Sequence, residues 1–253
     1  MKPTEYQIAS IPQFLELILH NPTPFWVYRG QSDISWPLLP KAGRQEYFLK
    51  ATDVWIARGQ SSSDLGRFDN WRNKAVAFCE HLPENDFECL AFAQHYGLAT
   101  RLLDWTENPL VALFFAVEEH NGADGAVFCY YQEHVIVPVP EEGLLGLIDK
   151  VAIYKSRPFD RRIIAQAGVF TYHPDPKIPI EAKPLPDQKT KFTTDGLDLV
   201  VIRIATDIKP ILQRMLDEIG VNRKTLFPDL DGLSNFVNWQ TRYYAMLNIK
   251  NPD

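Results

Sequence analysis

The sequence predicts one α+β domain in which a small central mixed sheet is surrounded by several helices. Its 253 residues are 45% hydrophobic and 23% charged, as in ordinary globular proteins. Segments with helical apolar spacing occur along the chain together with short β-branched and aromatic runs. The candidate motifs are spread from residue 28 to residue 232 without a linker, so we expect a single domain over residues 1–253.

Helices are predicted from apolar periodicity and from capping residues. Residues 10–20 have a broad apolar face, and Asn85 and Gly97 bracket a second helix as N-cap and C-cap. Asn108-Pro109 places a cap and a first-turn proline before an apolar helix that runs to about residue 120. The other predicted helices are 44–58, 67–82, a short helix from Arg161-Arg162, 209–220, and a last helix from Asp229 or Asp231 into residues 243–247.

Strands are predicted where β-branched and aromatic residues cluster between turn residues. These segments are 25–28, 125–131, 168–172 and 197–204. Residues 174–195 carry five prolines and little apolar periodicity, so we expect a long loop between the last two strands. Loops of this length are often functional.

Charge and cysteine content narrow the class of protein. The net charge of −6 shows no basic stripe, which disfavours general nucleic-acid binding. The three cysteines lack paired spacing and are expected to be reduced thiols of a cytoplasmic protein. The longest apolar run, residues 110–117, is too short to span a bilayer, so no membrane association is expected.

The first candidate motif is Tyr28-Arg29-Gly30-Gln31 at the end of an aromatic strand. A guanidinium anchored there offers a planar fork of donors to a phosphate or a carboxylate. The glycine would let a ligand approach the main chain closely. Alternatively, Arg29 pairs with a partly buried aspartate such as Asp104 and ties the fold together.

The second candidate motif is residues 94–106, which are mostly polar although they join two apolar helices. Polar groups between buried elements are either hydrogen-bonded within the protein or functional. Histidine is a common general acid or base, so His95 could move a proton, Arg101 could bind phosphate, and Asp104 could orient a histidine or an arginine. Alternatively, His95 is structural and Arg101 pairs with Asp104 at i, i+3. The remaining polar members are Gln94, Thr100 and Thr106.

Two later stretches of the sequence also contain candidate motifs. Gln166 precedes Gly168 at the start of a predicted strand, where its amide could bind a ligand or the glycine could merely cap a short helix. Residues 226–233 contain Asp-x-Asp-Gly but lack the twelfth-position glutamate of a calcium loop, so we interpret them as a capped helix start. No Walker A, GxGxxG, GxSxG, HExxH or zinc-ligand spacing is present, and no metal is predicted.

Together these stretches resemble the FRG domain family, named for a Phe-Arg-Gly motif that here reads Tyr28-Arg29-Gly30. The family's central signature resembles Gln-His-Tyr-Gly-Leu-Pro-Thr-Arg-Leu-Leu-Asp-Trp-Thr, which residues 94–106 match except for Ala99. Residues 166–170 and 227–232 are similar to later family blocks, and the resemblance covers about residues 10–240. It implies a bacterial or phage protein, sometimes encoded beside toxin and defence components.

The chain is also distantly similar to ADP-ribosyltransferase folds. In those folds an Arg or His with Gly on the first strand holds nicotinamide, and Tyr28-Arg29-Gly30 resembles that element. Thr100 or Thr106 would be the second element and Gln166 the third, where a catalytic Glu or Gln is expected. Glutamine cannot supply a carboxylate's charge, so another carboxylate would act or the reaction would differ. The candidates are Asp104, Glu118 and Glu119.

The resulting hypothesis is a nucleotide- or NAD-directed enzyme that serves as an effector in bacterial or phage conflict. It would be a transferase or hydrolase acting on NAD or nucleic-acid phosphate, with a protein inhibitor as a further partner. The alternative is a non-catalytic interaction module whose Arg-His-Asp network is structural. The expected catalytic residues are His95, Asp104 and Gln166. The expected substrate-binding residues are Tyr28, Arg29, Gly30, Gln31, Gln94, Thr100, Arg101 and Thr106.

Overall fold

A computed structural model describes residues 1–19, 26–49, 61–132, 135–136, 148–185 and 196–250. Eight strands were found: β1 (Thr4–Ile8), β2 (Trp26–Gln31), β3 (Leu102–Thr106), β4 (Gly125–Tyr131), β5 (Val135–Ile136), β6 (Ala152–Tyr154), β7 (Gly168–Tyr172) and β8 (Leu199–Ile204). They form one sheet in the order β1-β8-β4-β2-β3-β7-β6-β5. The two outer pairs are parallel and the inner pairs are antiparallel, so the sheet is mixed, as predicted.

The helices confirm the α+β class. They are α1 (Ile11–Leu19), α2 (Asp64–Ala75), α3 (Asp86–His95), α4 (Pro109–Val117), α5 (Arg161–Ala165), α6 (Lys209–Glu218), α7 (Arg223–Leu226) and α8 (Leu230–Lys250). Asn85 and Asn108 cap α3 and α4 with their side chains, as their positions in the sequence predict. Within the described ranges, no helix combines the length and the apolar character needed to cross a bilayer.

The predicted helix over residues 44–58 is wrong where the structure describes it. Up to residue 49 the chain instead forms two short 3-10 turns, Lys41–Gly43 and Gln45–Tyr47. Tertiary contacts hold the first turn, because Ala42 donates its N–H to the Thr100 carbonyl at 3.1 Å. A side chain at Gly43 would collide with the main chain of Pro176, so this segment is packed closely against the fold. The rest of the predicted helix, residues 50–58, lies outside the described residues, as do residues 186–195 of the predicted loop.

Helices pack on one face of the sheet in two groups, and this arrangement positions the site. Tyr28 lies opposite Thr106, so both point to the same face, and Tyr28 packs in a cluster with α4. Leu102, Asp104 and Thr106 are spaced two residues apart on β3, so all three point to this face. Leu102 packs there with α2 and α3. The candidate motifs accordingly lie between α3 and α4.

The sheet opens between β2 and β3. β2 pairs with β4 along six residues but with β3 at one, where Tyr28 lies opposite Thr106. β3 stays fully paired with β7 on its other side, from Leu102 to Thr106. The main-chain N–H and C=O groups on the β2 side of β3 therefore need hydrogen-bond partners other than β2 at this opening.

Candidate functional site

A cleft of about 270 Å³ lies over β3 and β7 and is bordered by α3 and α5. It brings together five of the residues that the sequence suggested for a common site. They are Arg29, Gln94, His95, Asp104 and Gln166. These residues come from four separate parts of the chain, so the fold, and not the local sequence, assembles the cleft.

Arg29 fills the opening between β2 and β3. Its Nη1 donates to the main-chain oxygen of Asp104 at 2.7 Å, and its Nε donates to Oε1 of Gln31 at 3.2 Å. Burial lowers the pKa of Arg29, the Asp104 carboxylate opposes that effect, and the nearby Arg44 adds to it. Among the described residues Nη2 has no hydrogen-bond partner. Arg29 therefore ties the sheet together and still has donors for a ligand.

Asp104 presents an oriented carboxylate to the cleft. Its side chain is exposed, and Oδ1 accepts a hydrogen bond from Nε2 of Gln94 at 2.7 Å. The hydroxyl of Thr100 donates to Oε1 of Gln94 and accepts from the Leu102 N–H at 3.1 Å. Because Gln94 is held at both ends of its amide, it fixes the direction of the Asp104 carboxylate. Thr100 itself is buried and serves this network.

His95 and Gln166 both line the cleft. His95 ends α3, with Nε2 3.5 Å from Oδ2 of Asp160 and its ring edge-on to Phe159. Gln166 donates through Nε2 to the Leu226 carbonyl at 3.0 Å. The next residue, Ala167, has φ of 45°, a left-handed conformation that is uncommon outside glycine. The turn that carries Gln166 is thus held by tertiary contacts and not by local preference.

Three further cations line the same cleft, and only one belonged to a stretch noted in the sequence. Lys41, Arg44 and Arg162 join Arg29 there, whereas Asp104 is the one carboxylate among the described lining residues. In a chain of net charge −6, this concentrates positive charge at one place. No local signal marks Lys41 or Arg44, because Lys41 lies on the first of the two short turns and Arg44 between them, and the sequence did not predict these turns.

The four cations differ in how many of their donors are already used within the protein. Arg162 pairs with Asp229, its Nε donating at 2.8 Å, and Lys41 donates to the Gly97 carbonyl at 3.3 Å. Arg44 is exposed, and its guanidinium has no hydrogen bond or ion pair with any described residue. It is therefore the cation most available to an incoming anion.

Arg101 does not reach the cleft, contrary to the expectation that it binds phosphate. It is 7% exposed, and its Nε and Nη2 donate to the two carboxylate oxygens of Asp64 at 2.7 and 2.8 Å. Its Nη1 donates to the Tyr172 hydroxyl at 3.1 Å and to the Pro174 carbonyl at 2.9 Å. The suggested pair with Asp104 does not form either. Arg101 joins α2, β7 and the segment after β7.

The other residues expected to bind substrate support the fold. Tyr28 is buried beneath α4. A Cβ on Gly30 would lie 1.9 Å from the Ala112 carbonyl oxygen, so α4, and not a ligand, occupies the space that this glycine leaves. Gln31 accepts from Arg29 and donates to the Trp36 carbonyl, and Thr106 donates to the Gln166 carbonyl at 2.6 Å.

Metal ligation finds no support in the part of the chain that the structure describes. There, no group of three or more His, Cys, Asp and Glu side chains is arranged to hold an ion. The polar atoms of the cleft are instead guanidinium, ammonium, amide, imidazole and one carboxylate. This set suits an anionic organic ligand.

Residues 25–125 match the family model of the FRG domain. The match spans β2 to the start of β4 and contains Arg29, Gln94, His95 and Asp104, while Gln166 and the helices α5 to α8 lie outside it. No curated protein and no solved structure matches the chain significantly. The cleft is therefore built largely by the segment that matches the FRG domain model, residues 25–125.

Proposed function

We propose that the cleft binds a phosphate-bearing nucleotide, NAD or an NAD-like molecule, and that the protein acts on it as a transferase or hydrolase. The observation that carries this proposal is the cluster of four cations around the single oriented carboxylate of Asp104. Guanidinium groups form charge-assisted, often bidentate hydrogen bonds with phosphate oxygens. Arg29 and Arg44 are the natural phosphate ligands, since both have donors that no described residue uses.

Asp104 would supply the negative charge that the reaction needs. Breaking a glycosidic bond develops positive charge on the ribose carbon, and a nearby carboxylate stabilises that charge. Gln94 holds the Asp104 carboxylate in one direction, so little reorganisation would be required during the reaction. His95 would transfer a proton to or from the leaving group or the attacking group.

The distant similarity to ADP-ribosyltransferases enters as part of this proposal. Its three suggested elements, on β2, on β3 and at the turn before β7, are neighbours across the sheet. Gln166 uses its amide N–H on Leu226, which leaves the amide oxygen to accept from a ribose hydroxyl. Because Gln166 is neutral, Asp104 takes the role of the catalytic carboxylate in this scheme.

Nicotinamide release from NAD by the purified chain tests the proposal, with nicotinamide quantified by chromatography. We expect Asp104→Asn to abolish release while NAD binding, measured by calorimetry, stays within a few fold of the wild type. Arg44→Ala should weaken NAD binding by about tenfold or more, the loss of one charge-assisted contact. Arg214→Ala, a variant of an exposed arginine paired with Glu218 and remote from the cleft residues, should change neither quantity.

The effector role has its own test. Expression of the wild-type chain should arrest growth of a bacterial host, and Asp104→Asn at equal abundance should not. If the wild type neither binds NAD or ADP-ribose nor releases nicotinamide, the nucleotide proposal is wrong.

A non-catalytic interaction module is the second candidate, because much of the polar motif is bonded within the protein. Thr100 donates to Gln94, which donates to Asp104, so these side chains bond to one another. The donors of Arg101 are used by Asp64 and its neighbours. On this alternative the cleft would receive an acidic group of a protein partner, and Arg44→Ala would weaken that complex. NAD turnover separates the two candidates, since a protein inhibitor could bind under either one.

A further inference from the structure

A second cleft, of about 370 Å³, adjoins the first at two arginines. Arg29 and Arg44 line both clefts, and no other described lining residue is shared. The second cleft is formed by the end of β2, the segment that follows it and the C-terminal part of α4. The two arginines therefore stand at the junction of two separate recesses.

The second cleft has an aromatic wall held in place from several sides. Trp36 is 46% exposed, unusual for the largest apolar side chain, and Phe115 from α4 also lines the cleft. The Trp36 carbonyl accepts from Nε2 of Gln31 at 2.8 Å. Ser32 donates its hydroxyl to the Phe115 carbonyl at 3.0 Å, and buried Lys209 donates to the Ser32 carbonyl at 2.6 Å. The main chain that carries this wall is thus fixed before any ligand arrives.

Two carboxylates at the end of α4 complete the second cleft. Glu118 and Glu119 both line it, and Glu118 also bonds to Arg223. Burial raises the pKa of Glu118, and Arg223 opposes that effect. Exposed Glu119 has no side-chain hydrogen bond or ion pair with a described residue. Such acceptors beside Trp36 suit a flat ring that bears an amino or amide group.

The sizes of the clefts favour one ligand that occupies both. Small-molecule sites usually have volumes of roughly 300–1,000 Å³. The first cleft falls just below this range and the second near its lower end, whereas the two joined fall well within it. A ligand with phosphates in its middle and a ring at each end would place its phosphates at the shared arginines.

We propose that the second cleft holds one ring of a dinucleotide whose diphosphate lies at Arg29 and Arg44. The substrate class is then a dinucleotide and not a mononucleotide. This inference rests on the proposed nucleotide-binding function of the first cleft and deepens it. It assigns Trp36 as a stacking residue and Glu119 as an acceptor for a ring substituent.

Calorimetry on the full chain with NAD and with its two halves, AMP and nicotinamide mononucleotide, tests the inference. We expect NAD to bind at least about tenfold more tightly than either half. Trp36→Ala should weaken NAD binding by about tenfold, the usual scale of one base–aromatic stack, and should weaken only one of the two halves. Trp36→Phe should restore most of the affinity. Tyr244→Ala, which removes another exposed aromatic outside both clefts, should leave all three affinities unchanged.

Glu119→Gln serves as the second variant in case Trp36→Ala does not fold. It should weaken the binding of NAD and of only one of the two halves, and this should be the same half that Trp36→Ala weakens. The inference is overturned if NAD binds no more tightly than its better half, or if the Trp36 and Glu119 variants leave NAD affinity unchanged. It is also overturned if both halves weaken equally, since one ring then does not define the second cleft. Absence of binding by all three ligands to the wild type would instead overturn the proposed function itself.

Discussion

Arg29 donates a 2.7 Å hydrogen bond to the main-chain oxygen of Asp104 at the point where the sheet opens between β2 and β3. A guanidinium thus replaces the strand that would otherwise satisfy this carbonyl. The Asp104 carboxylate is left to Gln94 and to the cleft. The structural and functional interpretations of Arg29 are therefore compatible, because different donors of one side chain serve each.

This double role predicts that Arg29→Ala loses both stability and binding. The variant leaves the Asp104 carbonyl and Gln31 without their donor, which should lower the free energy of unfolding by about 1.5–3 kcal/mol. It also removes one of the two cations shared by the clefts, so NAD affinity should fall at least about tenfold. Urea denaturation and calorimetry measure the two effects. Arg29→Lys keeps the charge but not the planar fork, and should recover only part of each.

An Arg29→Ala variant that is destabilised yet binds NAD normally would make this arginine purely structural. Arg44→Ala is the matched comparison. Since Arg44 is exposed and has no partner among the described residues, its unfolding free energy should change by less than about 0.5 kcal/mol.

Arg101→Ala should destabilise the protein without changing the cleft. The substitution leaves Asp64 as a buried carboxylate without its bidentate partner, a change that typically costs about 3–5 kcal/mol. Asp64→Ala should cost a similar amount, and the double variant should cost less than the two single changes added together. Denaturation curves of all three variants check this. The folded fraction of Arg101→Ala should bind NAD like the wild type. A loss of NAD affinity in this fraction would show that Arg101 contributes to ligand binding.

Gly30→Ala should destabilise the protein because α4 lies directly on this glycine. The added methyl group would lie 1.9 Å from the Ala112 carbonyl oxygen and 2.6 Å from the Ala116 nitrogen, so the helix must move. Such overpacking should cost about 3 kcal/mol in unfolding free energy. Gly168→Ala is the control, because its nearest neighbour would be an ordinary contact at 3.6 Å. Equal stability of the two variants would show that α4 can shift freely.

Several of the residues that line the cleft could be noticed in the sequence because their polarity is out of place. Gln94, His95 and Asp104 stand out because they belong to a polar stretch that joins two apolar segments, where polar groups are expected to be bonded or used. Arg101 stands out for the same reason, but its partner Asp64 lies 37 residues earlier. Polarity alone cannot distinguish a buried ion pair from a ligand contact.

Other parts of the site depend on tertiary structure. β3 was not predicted because Leu102–Thr106 is buried on both faces of the sheet apart from Asp104, so it lacks alternating polarity. Arg44 enters the cleft on turns that are held by contacts such as that between Ala42 and Thr100. No local pattern encodes such contacts, and the shared position of Arg29 and Arg44 between two clefts is likewise visible only in three dimensions.

Stability should fall as the pH drops from about 7 to 4, chiefly because of His173. Burial, with Arg101 and Arg29 nearby, lowers the pKa of His173 to about 4, against an ordinary value of about 6.5. Below pH 6.5 the unfolded chain protonates this histidine while the folded protein does not, so protons favour unfolding. Because the pKa of His173 is about 6.5 in the unfolded chain and about 4 in the folded protein, the free energy of unfolding should be about 3 kcal/mol lower at pH 4 than at pH 7.

Urea denaturation at half-unit steps from pH 7.5 to pH 4 measures this dependence. His173→Gln can still form a hydrogen bond with the Thr171 hydroxyl but cannot be protonated, so it should remove most of the slope, whatever its stability at pH 7. Burial also lowers the pKa of His120, and His120→Gln is the control that should remove a smaller part. Asp33, Asp124 and Asp229 have lowered pKa values, so their protonation destabilises the protein only below about pH 4, outside this range. An unchanged slope in His173→Gln would show that His173 is already charged, or exposed, in the folded protein.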